Sequence, residues 1–161
     1  MEALGLLLKL SHVVLAMTIV AGTLGSWLLN RRASRTEDME LIWQLTRAAA
    51  PFDRMQTVSG PLLVLSGLAT AWAQGLPLLG LGEGWILASV LLIILLIVLV
   101  VTVFVPAGAR VERAILASRA EGRVTDELRQ AWRATPPERV AFWYGQLVSP
   151  AIIALMVIKP F

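Results

Sequence analysis

Two ionisable side chains, Lys9 and His12, lie inside a long apolar stretch near the start of the chain. The stretch runs from Leu4 to Leu29, which is about the 20 residues that a helix needs to cross a bilayer. His12 is the only histidine in the chain, and the spacing of three residues places it on the same helix face as Lys9. Ionisable groups at membrane depth are costly and face the protein interior, so they are candidates for function. A neutral imidazole can bind a metal such as haem iron, and His12 is therefore the candidate metal ligand.

Composition places the protein in the membrane class. Hydrophobic residues make up 57% of the chain and charged residues 16%, whereas a soluble domain is about 25% charged. The net charge is +3, but the arginines cluster in two loops beside apolar runs, which is typical of membrane orientation rather than nucleic-acid binding. The chain has no cysteine, which excludes disulfides and thiolate metal sites. Zinc is not expected either, because it needs several nitrogen or sulfur ligands.

The apolar runs predict an all-α integral membrane protein, a four-helix bundle made of two helical hairpins. The predicted spans cover residues 4–29, 57–74, 85–106 and 136–158 of a single transmembrane domain, residues 1–161. Proline removes a backbone donor and bends a helix. The second span contains Pro61, and the middle of the fourth span contains Pro150, so we expect both spans to be kinked.

The two charged loops have helical patterns of their own. In residues 33–56, Ser34 and Glu37 have the spacing of a capping box, and Pro51 indicates a second helix start. Residues 107–134 predict two short amphipathic helices interrupted by Gly122. We therefore expect amphipathic cytoplasmic helices in loops 1 and 3.

The start of the fourth span has a clear signal. Thr135 and Glu138 have capping-box spacing, with proline at the first helical position between them. Both features favour a helix start at Pro136.

Orientation follows from the basic residues. Loops 1 and 3 hold nearly all of them and the second loop, residues 73–84, holds none. The positive-inside rule then places loops 1 and 3 in the cytoplasm and both termini outside, with Glu83 on the outer side and Lys159 as a weak exception. The expected location is the bacterial inner membrane, and no cleaved leader is expected because the N-terminus has no basic segment.

The polar residues of three spans lie at matching depth. At about 1.5 Å per residue, His12 lies roughly 12 Å from the outer end of the first span. Ser66 in the second span and Ser149 in the fourth reach the same depth, so His12, Ser66 and Ser149 form the predicted polar layer. Lys9 lies one turn nearer the outside, and with these three residues it completes the predicted cofactor site. Two interpretations of this layer remain open: a satisfied packing contact, or a ligand site. Lower in the first span, Gly22 and Ser26 are four residues apart and predict close approach of another helix.

The first span resembles the opening helix of the HemJ-type protoporphyrinogen oxidases, small bacterial four-helix membrane proteins. The resemblance rests on Lys9, His12 and Gly22, and on Gly84 and Trp85 at the start of the third span. It implies a tetrapyrrole or haem bound through His12. The chain departs from that pattern because Ile19 stands where a tryptophan is expected. The overall layout is closer to uncharacterised bacterial predicted integral membrane proteins of four helices.

Two functions therefore stand beside each other. The first is a non-catalytic membrane protein, an accessory or scaffold subunit that contacts lipid and packs against other membrane subunits or a second copy of itself. The second is a haem- or tetrapyrrole-binding protein that uses His12. One histidine supplies one axial ligand, so a haem with two histidine ligands would need a second chain.

Overall fold

The computed structural model of the protein describes residues 2–76 and 84–158, and their regular structure is helical. The chain divides into two compact units. The first comprises residues 2–76 with residues 121–124, and the second comprises residues 84–120 and 125–158. The elements in chain order are α1 (Glu2–Ala33), α2 (Met39–Ala73), α3 (Gly84–Leu99), a π-helical segment (Val100–Phe104), α4 (Val105–Glu121), α5 (Asp126–Ala131) and α6 (Pro136–Ile158). The predicted all-helical class is confirmed.

The first unit is an antiparallel hairpin of α1 and α2. After α1 ends, the backbone N–H of Ser34 donates to Asn30 O at 2.9 Å. The carboxylate of Asp38 then caps α2, accepting from Glu40 N at 2.9 Å and from Leu41 N at 3.2 Å. Asp38, and not the predicted Ser34, is the N-cap, because its short carboxylate reaches the unpaired N–H groups of the first turn.

Helix α2 runs without interruption through Pro51 and Pro61. The predicted helix start at Pro51 is wrong, because the helix has already begun twelve residues earlier at Met39. A separate amphipathic helix in loop 1 is thus not confirmed, and the charged segment forms the first half of α2. The physical reason is that proline costs one backbone bond and a local clash, which a long helix packed along its length can absorb.

In the second unit, α3 continues into α4 through the π-helical segment. The N–H of Val105 donates to Val100 O, five residues back, and Pro106 follows at once. A proline has no N–H and its ring crowds the carbonyl four residues earlier, and a wider π turn relieves both problems without ending the helix. The two separate short helices predicted for loop 3 are therefore not confirmed, since the charged segment extends the third span as α4 before the short α5.

Helix α6 begins at Pro136, as its capping box predicts. The backbone N–H of Thr135 donates to Glu138 Oε2 at 3.1 Å. Further along, the hydroxyl of Tyr144 donates to Leu92 O at 3.1 Å. This bond joins the side chain of α6 to the backbone of α3.

Within residues 2–76 and 84–158, three helical stretches are long and apolar enough to cross a membrane: Ala3–Ala33, Gly84–Glu121 and Pro136–Ile158. The outward face of α1 is rich in exposed large apolar side chains, among them Leu6, Leu7, Leu10, Met17 and Val14. In water such a face would be unfavourable, whereas in a bilayer it contacts lipid. Helix α2 is not one of the three, because its first half is charged and its second half contains Ser, Gly, Pro and Thr.

Candidate functional site

The imidazole of His12 lies against α2. Its Nδ1 atom is 3.1 Å from the backbone oxygen of Leu63 and 3.0 Å from Ser66 Oγ. The Ser66 hydroxyl itself donates to Leu63 O at 2.9 Å. The structure therefore brings together His12 and Ser66, two residues of the predicted polar layer, and adds the Leu63 carbonyl as their shared acceptor.

This geometry selects one tautomer of the ring. A carbonyl oxygen can only accept, so the proton of a neutral His12 is on Nδ1, where it is shared between Leu63 O and Ser66 Oγ. The lone pair of the ring is then on Nε2. Metal-binding histidines are commonly held in this way, with one ring nitrogen donating to a backbone carbonyl and the other presenting its lone pair.

A glycine of α2 makes room for the ring. A Cβ atom added at Gly67 would lie 3.0 Å from His12 Cε1 and 3.4 Å from Nδ1. The first distance is shorter than ordinary van der Waals contact, so an alanine here would require the imidazole to shift by a few tenths of an ångström. The sequence alone gives no signal for this contact.

The other predicted site residues are placed differently. Lys9 is exposed on α1, one turn from His12. Ser149 belongs to the second unit, where its hydroxyl donates to Gly145 O of its own helix at 3.0 Å. Glu83 and Lys159 lie outside the described residues. The part of the layer that includes Ser149 stays a prediction.

A second polar contact joins the hairpin nearer its turn. The hydroxyl of Ser26, a buried residue, donates to Asp53 Oδ1 at 2.5 Å. Asn30 Nδ2 donates to Ser26 O at 3.0 Å, and Thr23 Oγ1 donates to Gln56 Oε1 at 3.0 Å. This contact is not predicted from the sequence, because the pattern predicts a new helix that starts at Pro51, two residues before Asp53.

Two glycines of α1 allow this close approach. A Cβ atom at Gly22 would lie 2.9 Å from Gln56 Cγ and 3.0 Å from Phe52 O, and one at Gly25 would overlap the ring of Phe52. The predicted groove at Gly22 and Ser26 is thus confirmed, and the helix that approaches it is α2. His12 and the Ser26 contact lie on the same face of α1, about 21 Å apart along the helix at 1.5 Å per residue.

The sequence profile of a family described as "Predicted integral membrane protein (DUF2269)" matches residues 6–160. The chain belongs to the DUF2269 family. No curated protein matches it, and no solved structure does. The membership supports the interpretation as an uncharacterised integral membrane protein, whereas the resemblance to the HemJ-type oxidases is not shown by these comparisons.

Within residues 2–76 and 84–158, the site in this DUF2269 protein offers one imidazole nitrogen. Among the described residues, no group of three or more His, Cys, Asp or Glu side chains could hold a metal ion. A ligand that needs several protein donors does not fit these residues. A haem fits the donor set, because its porphyrin supplies the other nitrogen ligands and the protein needs to supply only an axial one.

Proposed function

We propose that the protein is a four-pass inner-membrane protein without catalysis of its own, an accessory or scaffold subunit for other membrane proteins. The observation that supports it is where the polar groups of the helices go. Ser26 and Asp53 bond each other, Tyr144 bonds the α3 backbone, and several hydroxyls bond their own helix four residues back. The first two contacts hold helices together, and the others satisfy a hydroxyl within its own helix. Neither kind converges on a reacting group.

The fourth pass in this proposal is the second half of α2. Residues 55–73 contain no Asp, Glu, Lys or Arg, and at 1.5 Å per residue they extend about 28 Å, close to the about 30 Å of a hydrocarbon core. The guanidinium of Arg31 lies 4.9 Å from the Trp27 ring centroid, and the guanidinium of Arg47 lies 5.9 Å from the Trp43 ring centroid. Tryptophan and arginine side chains are typical of the membrane interface. Trp27 follows Ser26, which bonds Asp53, so the Trp27–Arg31 pair supports a boundary at the start of residues 55–73, and the Trp43–Arg47 pair lies beyond it toward the turn.

The orientation of these passes is testable with single cysteines. Because the chain has none of its own, Arg35→Cys, Arg119→Cys and Glu83→Cys each introduce one unique thiol. In intact cells we expect an impermeant maleimide to label only the variant at position 83, since the arginine-rich loops stay in the cytoplasm. Labelling after permeabilisation is the control for thiol reactivity. Strong labelling at position 119 in intact cells would contradict this orientation and show that loop 3 faces outward.

An accessory role predicts a partner in the membrane. A photo-cross-linking amino acid at Met17, which is 68% exposed on α1, should join the protein to a second membrane protein in reproducible stoichiometry at native expression level. The same complex should survive extraction into polymer-bounded discs and be visible by native mass spectrometry. A protein that extracts alone, with cross-links to lipid only, would contradict the accessory role.

The second candidate function is binding of haem or another tetrapyrrole through His12. The observation that favours it is the 3.1 Å distance between His12 Nδ1 and Leu63 O, because a proton on Nδ1 leaves the lone pair of the ring on Nε2. In this function His12 would hold the iron, Leu63 and Ser66 would orient the imidazole, and the bound group would supply redox or light-absorbing chemistry. Ser149 and Lys9 complete the site only if the predicted layer forms.

A further inference from the structure

A cleft of about 330 Å³ opens in the second unit between the start of α4 and the start of α6. This volume lies at the lower end of the roughly 300–1,000 Å³ of small-molecule sites. One end of the cleft is apolar, with Val103 and Pro106, and the other end carries Arg110, Arg113 and Glu138. Its lining therefore changes from apolar to cationic over a few residues.

The cleft is placed at a membrane boundary if the Gly84–Glu121 stretch crosses the bilayer. From Gly84 to Val105 the helix rises about 31 Å at 1.5 Å per residue, which is the thickness of the hydrocarbon core. Val103 and Pro106 then lie at its edge, and the two arginines lie one to two turns beyond it. A helical side chain is directed back toward the N-terminus of its helix, so these guanidinium groups reach toward the headgroup layer, which extends about 5–7 Å beyond the core on each side.

The two arginines of the cleft differ in how many of their hydrogen-bond donors have a protein acceptor. Arg110 Nη1 and Nη2 donate to the two carboxylate oxygens of Glu138 at 2.9 and 3.2 Å, and Nη2 also donates to Ala131 O at 3.2 Å. Glu138 thus neutralises Arg110 and holds it in place. Arg113 uses only Nε, which donates to Ala109 O at 3.2 Å, and within the described residues its two terminal nitrogens have no protein acceptor.

We propose that this cleft binds the headgroup of an anionic glycerophospholipid from the cytoplasmic leaflet. The phosphate accepts hydrogen bonds from the terminal nitrogens of Arg113, since a guanidinium matches phosphate oxygens in a bidentate manner. The lipid's glycerol and upper acyl carbons lie against Val103 and Pro106. One uncompensated positive charge matches the single negative charge of a phosphodiester. The proposal rests on the membrane crossing and orientation proposed above, but not on an accessory role or on haem.

The test is binding of single lipids to the detergent-solubilised protein, followed by native mass spectrometry. We expect phosphatidylglycerol to bind at least tenfold more tightly than phosphatidylcholine of the same chains. Arg113→Ala should reduce phosphatidylglycerol binding by about 10- to 100-fold, the range for hydrogen bonds to a charged group. Arg113→Lys should restore the charge but only part of the affinity, because a lysine lacks the guanidinium fork.

The matched control is Arg133→Ala, which removes the same charge from the same cytoplasmic region outside the cleft lining. We expect it to change binding less than about twofold in micelles, where a long-range membrane potential is absent. Equal losses for Arg113→Ala and Arg133→Ala would overturn the site, as would equal binding of the two lipids. Competition by millimolar inorganic phosphate as strong as by phosphatidylglycerol would assign the cleft to a soluble anion instead. Topology is measured separately by the cysteine labelling, so failure of the lipid site and failure of the membrane orientation are distinguishable.

Discussion

Gly22→Ala should lower the free energy of unfolding of the first hairpin by about 1–3 kcal/mol, the usual cost of overpacking a filled site. Gly22 is buried, and its new methyl group would lie 3.0 Å from the backbone oxygen of Phe52. A backbone atom cannot rotate away, so relief requires α2 to move as a whole. That movement would also stretch the Ser26–Asp53 hydrogen bond one turn away.

The control for Gly22→Ala is the same substitution at Gly5, where no atom lies within 4 Å of the new Cβ. Alanine is favoured over glycine by up to about 1 kcal/mol in a helix interior, and Gly5, in the first turn of α1, gains no more of this than Gly22 does. The difference between the two variants is therefore a lower bound on the packing cost at Gly22. Unfolding in mixed micelles with increasing denaturing detergent measures it. Equal stability of the two variants would show that α1 and α2 do not approach closely at Gly22.

A disulfide gives an independent readout of the same contact. Ser26 Oγ and Asp53 Oδ1 are 2.5 Å apart and both side chains are short, so Ser26→Cys with Asp53→Cys places two thiols across the helix pair in a chain that has no other cysteine. Oxidation should cross-link this pair efficiently in the parent background. In the Gly22→Ala background we expect slower cross-linking, because the two backbones lie farther apart.

The contacts of the first hairpin could be predicted where a side-chain pattern specifies them. Gly22 and Ser26 are small residues four apart, which indicates close helix approach, and the helical rise places His12 level with Ser66. The acceptor at Leu63 could not be predicted, since every residue carries a backbone carbonyl and the sequence does not say which one is turned toward a neighbour. Ser66 was found by depth alone, and its bond to Leu63 is what makes the contact a three-atom arrangement.

The helix boundaries were predicted less well than the helix content, and proline is the reason. The sequence around Pro51 is compatible with a first-turn position and with an interior position in a packed helix. Only the packing of the neighbouring helix decides whether the lost hydrogen bond is tolerated. The predicted helix start at Pro51 also meant that the Ser26–Asp53 contact was not predicted, since that contact lies along a continuous α2. A π turn before Pro106 lets α3 continue into α4. The run of branched apolar residues before this proline gives no local sign of that turn.

His12→Leu is expected to weaken the α1–α2 contact, while His12→Gln should retain most of it. Leucine fills the volume but leaves Leu63 O and Ser66 Oγ without the donor from α1, a loss of about 0.6 and at most about 1.7 kcal/mol in membrane helices. Glutamine can still donate to Leu63 O through its amide. If the site only holds the two helices together, the order of stability is parent, glutamine, leucine, and all three proteins are colourless.

Haem binding predicts a different order from the same variants. An amide does not replace imidazole as an axial ligand, so His12→Gln should remove the Soret absorption of protein purified from haem-replete cells, although the fold is kept.

Gly67→Ala then provides the finer test, because its Cβ would lie 3.0 Å from His12 Cε1 and must tilt the ring away from Leu63. Such a tilt should shift or weaken the Soret band, whereas Gly60→Ala on the same helix, with no atom within 4 Å, should leave it unchanged. A parent protein without Soret absorption would end the haem candidate, and a pigment that survives in His12→Gln would exclude His12 as its ligand. If Gly67→Ala lowers stability in a colourless protein, the close fit of the ring serves packing, and the contact between His12 and α2 belongs to the scaffold.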